Sequence, residues 1–132
     1  MSAVVARARA LLGVRFRPQG RSAEHGLDCI GVAIMAIGMK EEGVPRDYDL
    51  RASDAEEVHR NLLACGMLRI APERAEAGDL LLVRSAPAQL HLALVTDLGY
   101  LHADARLRRV VEAPGPVPWP TLSAWRAPAG TG

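Results

Sequence analysis

Aromatic side chains are scarce in this chain of 132 residues, which has one Phe, two Tyr and two Trp. That argues against a stacking platform for single-stranded nucleic acid or flat sugar rings, which needs several exposed aromatic faces. Lysine is nearly missing too: Lys40 is the single Lys among sixteen basic residues, a bias that reads as coding composition before function. A net charge of +1 gives no global field to draw nucleic acid or an anionic membrane. No apolar run reaches the roughly 18 residues of a membrane span. Arg7 and Arg9 interrupt the first fourteen residues, so no export signal is legible. Two cysteines, Cys29 and Cys65, are too few for a disulfide scaffold, and nothing in the sequence requires them to pair. G-x-S-x-G, a Walker loop and a dinucleotide fingerprint are all absent.

What is present reads as one globular domain, with 49% apolar and 23% charged residues. Charge is uneven. Residues 1–21 carry five Arg and no acid, while 22–66 carry nine acids against four bases. The basic start reads as a solvated face, with docking to an acidic partner or nucleic acid as the alternative. Val4, Val5, Ala8, Leu11 and Leu12 recur at helical spacing, and Gly13 stops that helix. An irregular loop follows from Phe16 to Leu27. Residues 29–39 are apolar on every side, which predicts a buried central helix ending near Gly43 and Pro45. Ser53 with Glu56 forms a capping box for a third helix, whose apolar stripe is Val58, Leu62 and Cys65. Past Gly66, short Leu/Val runs at 80–83, 90–95, 100–103 and 107–112 are parted by turn residues and predict antiparallel strands. Helices followed by strands make an α+β layout. The Pro-rich tail, 114–132, is expected to wrap the surface, with Trp119 and Trp125 as packing anchors.

Cys29 follows Gly26-Leu27-Asp28 and opens the apolar helix. Asp28 is placed to cap that helix. A thiol there meets free backbone N–H groups and the positive end of the helix dipole, which predicts a lowered pKa. A nucleophilic thiol needs a base and a group that orients it. His91 lies in an apolar strand and His102 in the next, and the turn through Asp97 and Gly99 folds them side by side. Spacing alone leaves alternatives open. One His on an apolar strand is commonly a core residue, and Cys65 illustrates a cysteine used for packing. Zinc held by His25, Cys29, His91 and His102 matches none of the usual ligand spacings. His25 reads as a loop residue and His59 as a solvated helix residue. Glu41, Glu42, Glu56 and Glu57 read as surface charges.

The residues 13–22 (GVRFRPQGRS), then Gly26-Leu27-Asp28-Cys29-Ile30-Gly31-Val32, resemble the NlpC/P60 cysteine peptidases. Ala77-Gly78-Asp79-Leu80-Leu81, His91 through Val95 and Tyr100-Leu101-His102-Ala103 continue the same order, so that the likeness covers about residues 10–113. Arg17-Pro18-Gln19-Gly20-Arg21-Ser22, with Ala124-Trp125-Arg126, is similar to the phage-type branch encoded among tail genes of prophages and gene transfer agents. The resemblance implies a papain-like α+β fold, N-terminal helices packed on a small antiparallel sheet. It implies hydrolysis of peptidoglycan stem peptides, typically between γ-D-glutamate and diaminopimelate, without a cofactor or metal. Cys29 is then the nucleophile, His91 the general base and acid, and His102 the orienting group, with Phe16 and Asp28 at the oxyanion and substrate side. Partners would be the peptidoglycan peptide and phage-like tail or baseplate hub proteins. The site of action would be the cell wall of a target cell, reached from outside on a tail, which the missing export signal fits. With no wall-binding repeat legible, the targeting would come from a partner. The chain departs from the family twice. Phe16 stands where a Tyr hydroxyl usually assists the oxyanion, a donor worth about 3 kcal/mol, and Ile30 stands where Ser usually follows the cysteine. The rival implication is a structural tail component with this fold and little activity.

Overall fold

The structure is a computed structural model and describes residues 2–39, 50 and 54–128. Helix α1 spans Ala3–Arg9 and is capped by Ser2, whose hydroxyl accepts from the Val5 N–H. Its apolar positions Val4, Val5 and Ala8 are buried. A short antiparallel pair follows, β1 (Arg21–Ser22) and β2 (Gly26–Leu27). Helix α2, Cys29–Ile37, carries six buried residues in nine and forms the centre of the core. Arg7 Nε donates to the Ala36 carbonyl at 2.8 Å, placing a cation at the C-terminal end of α2. The helix stops earlier than expected. Gly38 takes a left-handed conformation (φ 83°) that a residue with a Cβ resists, and so ends α2 at once. Gly43 and Pro45 lie outside the described residues, as do Lys40, Glu41 and Glu42.

Helix α3, Ala55–Ala64, is capped by Asp54, which accepts from the Glu57 N–H at 2.7 Å. The expected cap at Ser53 lies outside the described residues. Val58, Leu62 and Cys65 are buried, as the stripe predicts. His59 is a correction, because it is not solvated but 7% exposed. Its Nε2 lies 3.0 Å from Ser123 Oγ, which also accepts from Trp125 Nε1 at 2.9 Å. Glu56 Oε1 stands 3.6 Å from His59 Nδ1. The row Ser123–His59–Glu56 looks like a hydrolase triad, yet Ser123 is 1% exposed and no substrate reaches it. It pins α3 to the sheet.

The main sheet is antiparallel, with order β3-β8-β4-β5-β6-β7. Its strands are β3 (Leu68–Ile70), β4 (Leu80–Ala86), β5 (Gln89–Val95), β6 (Gly99–Asp104), β7 (Arg109–Pro114) and β8 (Thr121–Arg126). The unbroken Leu80–Val83 run is buried on both faces: Leu80 and Leu82 meet the helices, while Leu81 and Val83 pack with Ala124 on the other side. The tail also corrects the expectation, and the core extends past residue 113. Thr121–Arg126 returns as an inner strand between β3 and β4, and Trp125 is fully buried. Prolines flank that strand at 120 and 128 but none lies within it, so every residue keeps the N–H that an inner strand needs. The architecture is α+β, helices against one antiparallel sheet.

Burial lowers the pKa of His59, and the neighbouring Arg69 cation acts in the same direction. The unfolded chain therefore takes up this proton first. Stability is complete above the unfolded value near 6.5 and is lost as pH falls below it. His91 and His102, also lowered by burial, carry the same sign. The wild-type Tm should fall from pH 7 to pH 5, and His59→Gln, which retains a partner for Ser123, should fall less steeply. Parallel Tm curves would show that His59 protonation is not linked to unfolding.

Candidate active site

The sheet parts at one place. Strands β5 and β6 pair only through Leu94↔Leu101 and Val95↔Tyr100, although β4–β5 pairing runs on to Gln89 and β6–β7 pairing to Asp104. The first turn of α2 sits against this gap. The Leu92 backbone N–H reaches the Cys29 sulfur, as does the N–H of Cys29 itself. Upstream, the helix start is held tightly. Asp28 Oδ1 accepts from the Gly31 N–H and from Arg21 Nη1, each at 2.8 Å, and Oδ2 from the Gln19 N–H at 3.0 Å. A Cβ on Gly31 would collide with the Gly20 carbonyl, so only glycine lets the helix lie this close to the loop.

The gap opens into a cleft of about 630 Å³ lined by Cys29, His91, His102, Phe16, Asp28 and Trp119, among others. His91 Nε2 and His102 Nδ1 are 2.8 Å apart, a hydrogen bond between the two imidazoles. Continuing the β5–β6 register would set His91 opposite Asp104, so the histidines lie diagonally on one face and meet because the strands have parted. Trp119 stands edge-on to both rings, with centroids 5.6 Å from His91 and 5.4 Å from His102. Tyr100 completes this collar, 5.4 Å from His102.

The sequence-predicted residues thus come together: Cys29, His91, His102, Phe16 and Asp28 all line one cleft. His25 does not, and is exposed beside Ser22. Among the described residues, no group of three or more His, Cys, Asp and Glu is arranged to hold a metal ion. Two cleft residues were missed. Trp119 arrives from the far side of the sheet with no local signal. Asp104 follows His102 by two residues, and strand periodicity alone sets it on the same face.

No protein-family model matches the chain, and no curated protein matches it by sequence. Solved structures do. The NlpC/p60 domain of the peptidoglycan hydrolase SagA is 24% identical, with a TM-score of 0.57, over 85% of this chain and 86% of that one. The P60 domain of an antigen from Mycobacterium avium subspecies paratuberculosis is 21% identical, with a TM-score of 0.63, over 95% and 92%. The fold is that of the NlpC/P60 domains. A third NlpC/P60 structure, RipD from Mycobacterium tuberculosis, is 18% identical, with a TM-score of 0.56, over 94% and 93%, and is described as a non-catalytic domain adapted to peptidoglycan binding. The NlpC/P60 fold is therefore compatible with both a working and a silent site.

The electrostatics correct one expectation. The Cys29 thiol is not lowered but pushed up to about 12, by burial first and by the adjacent Asp28 carboxylate second. The backbone N–H groups and Arg21 pull the other way and lose. His91 is driven down to about 4 by burial, with His102 adding to the shift. Among the described residues, the thiol has no hydrogen bond to His91. The resting site is thus a neutral thiol beside a neutral imidazole.

Phe16 sits beside the helix start, its N–H donating to the Arg108 carbonyl and its backbone bridging to Leu27. Its side chain lines the cleft and carries no hydroxyl. The basic N-terminal segment is largely spent within the fold: Arg9 pairs with Glu112 and Asp97 at 2.8 Å each, and Arg21 with Asp28. Arg15 and Arg17 remain exposed.

A neutral resting thiol has a kinetic signature. Alkylation of Cys29 by iodoacetamide, followed by peptide mass mapping, should accelerate steadily from pH 7 to pH 9.5. A rate already at its plateau below pH 7 would instead reveal a resting thiolate–imidazolium pair.

Proposed function

We propose that this chain is a cysteine peptidase that cleaves stem peptides of bacterial peptidoglycan, at the γ-D-glutamate–diaminopimelate bond. The observation that carries the reading is the 2.8 Å imidazole pair facing the same cleft as a thiol at a helix start. Because His91 uses Nε2 on His102, its Nδ1 is the nitrogen left for the thiol. As the Cys29 sulfur bonds to the amide carbon, its proton passes to His91 Nδ1. His91 then protonates the leaving amine as the C–N bond breaks. Water, deprotonated by His91, releases the acyl group and restores the thiol. The Cys29 N–H at the start of α2 is the backbone donor for the oxyanion. The likeness of residues 17–22 to the phage-type branch supports a tail-associated enzyme that opens the wall of a target cell for DNA entry, docked on tail or baseplate hub proteins.

Two observations favour the rival, a papain-like tail component with little turnover: Phe16 supplies no oxyanion donor, and burial holds the Cys29 thiol protonated. Digestion of purified Gram-negative peptidoglycan separates the two. Wild type should release muropeptides cut at the predicted bond, and Cys29→Ala should release none. Equal background release from both would sink the peptidase reading.

For an active enzyme, Phe16→Tyr should raise kcat toward the roughly 10²-fold that one oxyanion donor is worth. His91 is neutral above its lowered pKa, so kcat/KM should hold through mildly acidic pH and fail only as pH falls toward about 4. Loss of activity already at pH 6.5 would contradict a buried neutral base.

A further inference from the structure

We propose that Asp104 is a positioning residue that sets the tautomer of His102 and, through it, leaves His91 Nδ1 free to take a proton. The proposal rests on the peptidase reading only for its kinetic consequence. Asp104 divides its carboxylate between two tasks. Oδ1 closes the β6–β7 turn, accepting from the Arg106 and Leu107 N–H groups at 2.8 and 3.2 Å. Oδ2 stands 3.9 Å from His102 Nε2, too long for a hydrogen bond but close enough for its negative charge to favour a proton on that nitrogen. The His102 side chain is only 7% exposed and that of Asp104 23%, so water competes poorly for this contact.

Direction follows from what each group can do. An ionised carboxylate only accepts, so it favours the His102 proton on Nε2. That leaves His102 Nδ1 as an acceptor. In the 2.8 Å contact the donor must then be His91 Nε2–H. With its proton on Nε2, the His91 ring presents an unprotonated Nδ1, the form a general base needs. Among the described residues, no other carboxylate stands against the pair to choose between the two directions. The charged and titratable groups around His102 are His91 from β5, Tyr100 and Asp104 from β6, Arg106 from the turn, and Cys29 with Asp28 across the cleft. Asp28 is committed to Arg21 and the helix start. Among the described residues, Asp104 is therefore the carboxylate available to the pair. Its charge also raises the proton affinity of both imidazoles against the burial that lowers it.

The test begins on the wild type. Ring ¹⁵N chemical shifts at pH 7.5 should report Nε2–H on both His91 and His102, and Nδ1–H on either ring would overturn the proposal. Asp104→Asn keeps an oxygen for the turn and places an amide N–H donor against His102. The His102 proton should move to Nδ1, His91 should follow, and kcat should drop by up to about 10⁴-fold, the loss a wrong tautomer causes in a serine-protease triad. Loss of the charge should also shift the acid limb of the pH profile to lower pH, which a purely structural role for Asp104 would not do. Unchanged tautomers in a folded Asp104→Asn protein would overturn the proposal even if activity fell. Because the tautomers are read without substrate, a wild type that releases no muropeptides would defeat the peptidase reading and leave this test intact.

Discussion

The parting of β5 from β6 is the constraint on which the cleft depends. Leu90, Leu92 and Leu94 belong to the core on the helix side of the sheet, and strand alternation turns His91 to the opposite face. A helix packed on a closed sheet would leave its first thiol and that imidazole on opposite sides. By ending their pairing at Leu94↔Leu101, the strands free the Leu92 N–H to meet the Cys29 sulfur and open a common cleft. The neighbouring ladders, β4–β5 and β6–β7, remain paired through this region and keep the opening rigid.

Burial, more than helix polarity, governs the charges at the site. A helix N-terminus favours a thiolate by a modest amount that falls off with screening. Moving an anion away from water costs more, and Asp28 adds like-charge repulsion. The same carboxylate holds the helix start in place, so the group that positions the nucleophile also keeps it protonated. A neutral pair stores no charge separation at rest. In the proposed mechanism the proton moves as the carbon–sulfur bond forms, and there the direction of the imidazole chain matters more than any resting charge.

Much of this was legible along the chain because its signals are local. The apolar run of α2, the Asp28 cap and two histidines eleven residues apart across a turn each declare themselves within one or two elements. Strand β8 did not, because prolines surround Thr121–Arg126 and its partners β3 and β4 lie some forty to sixty residues earlier. His59 was misjudged for a related reason. Its neighbours on α3 are charged, and the distant Ser123, which hydrogen-bonds its Nε2, and Trp125, which packs on its ring, cannot be read from the helix itself. The thiol pKa was misjudged because dipole and cap can be seen in sequence while desolvation cannot.

The scarcity of aromatic residues takes on a different meaning in the folded chain. Of the five, Phe16 and Trp119 line the cleft, Tyr100 rests on His102, and Trp125 fills the core. Trp119 and Tyr100 meet the imidazoles by their edges or at a tilt, leaving ring nitrogens free for one another. Such a collar covers the rings, leaving His102 6% and Tyr100 9% exposed, while the Tyr100 hydroxyl and the Trp119 N–H keep their own hydrogen-bonding capacity. It strengthens the Asp104–His102–His91 interactions by lowering the local dielectric, and it also disfavours the imidazolium that each proton transfer must create. A carboxylate at the far end of the pair offsets that cost. In the proposed mechanism an aromatic collar and an acidic residue behind it work together, since the carboxylate opposes the burial that lowers the His91 imidazole and orients the pair.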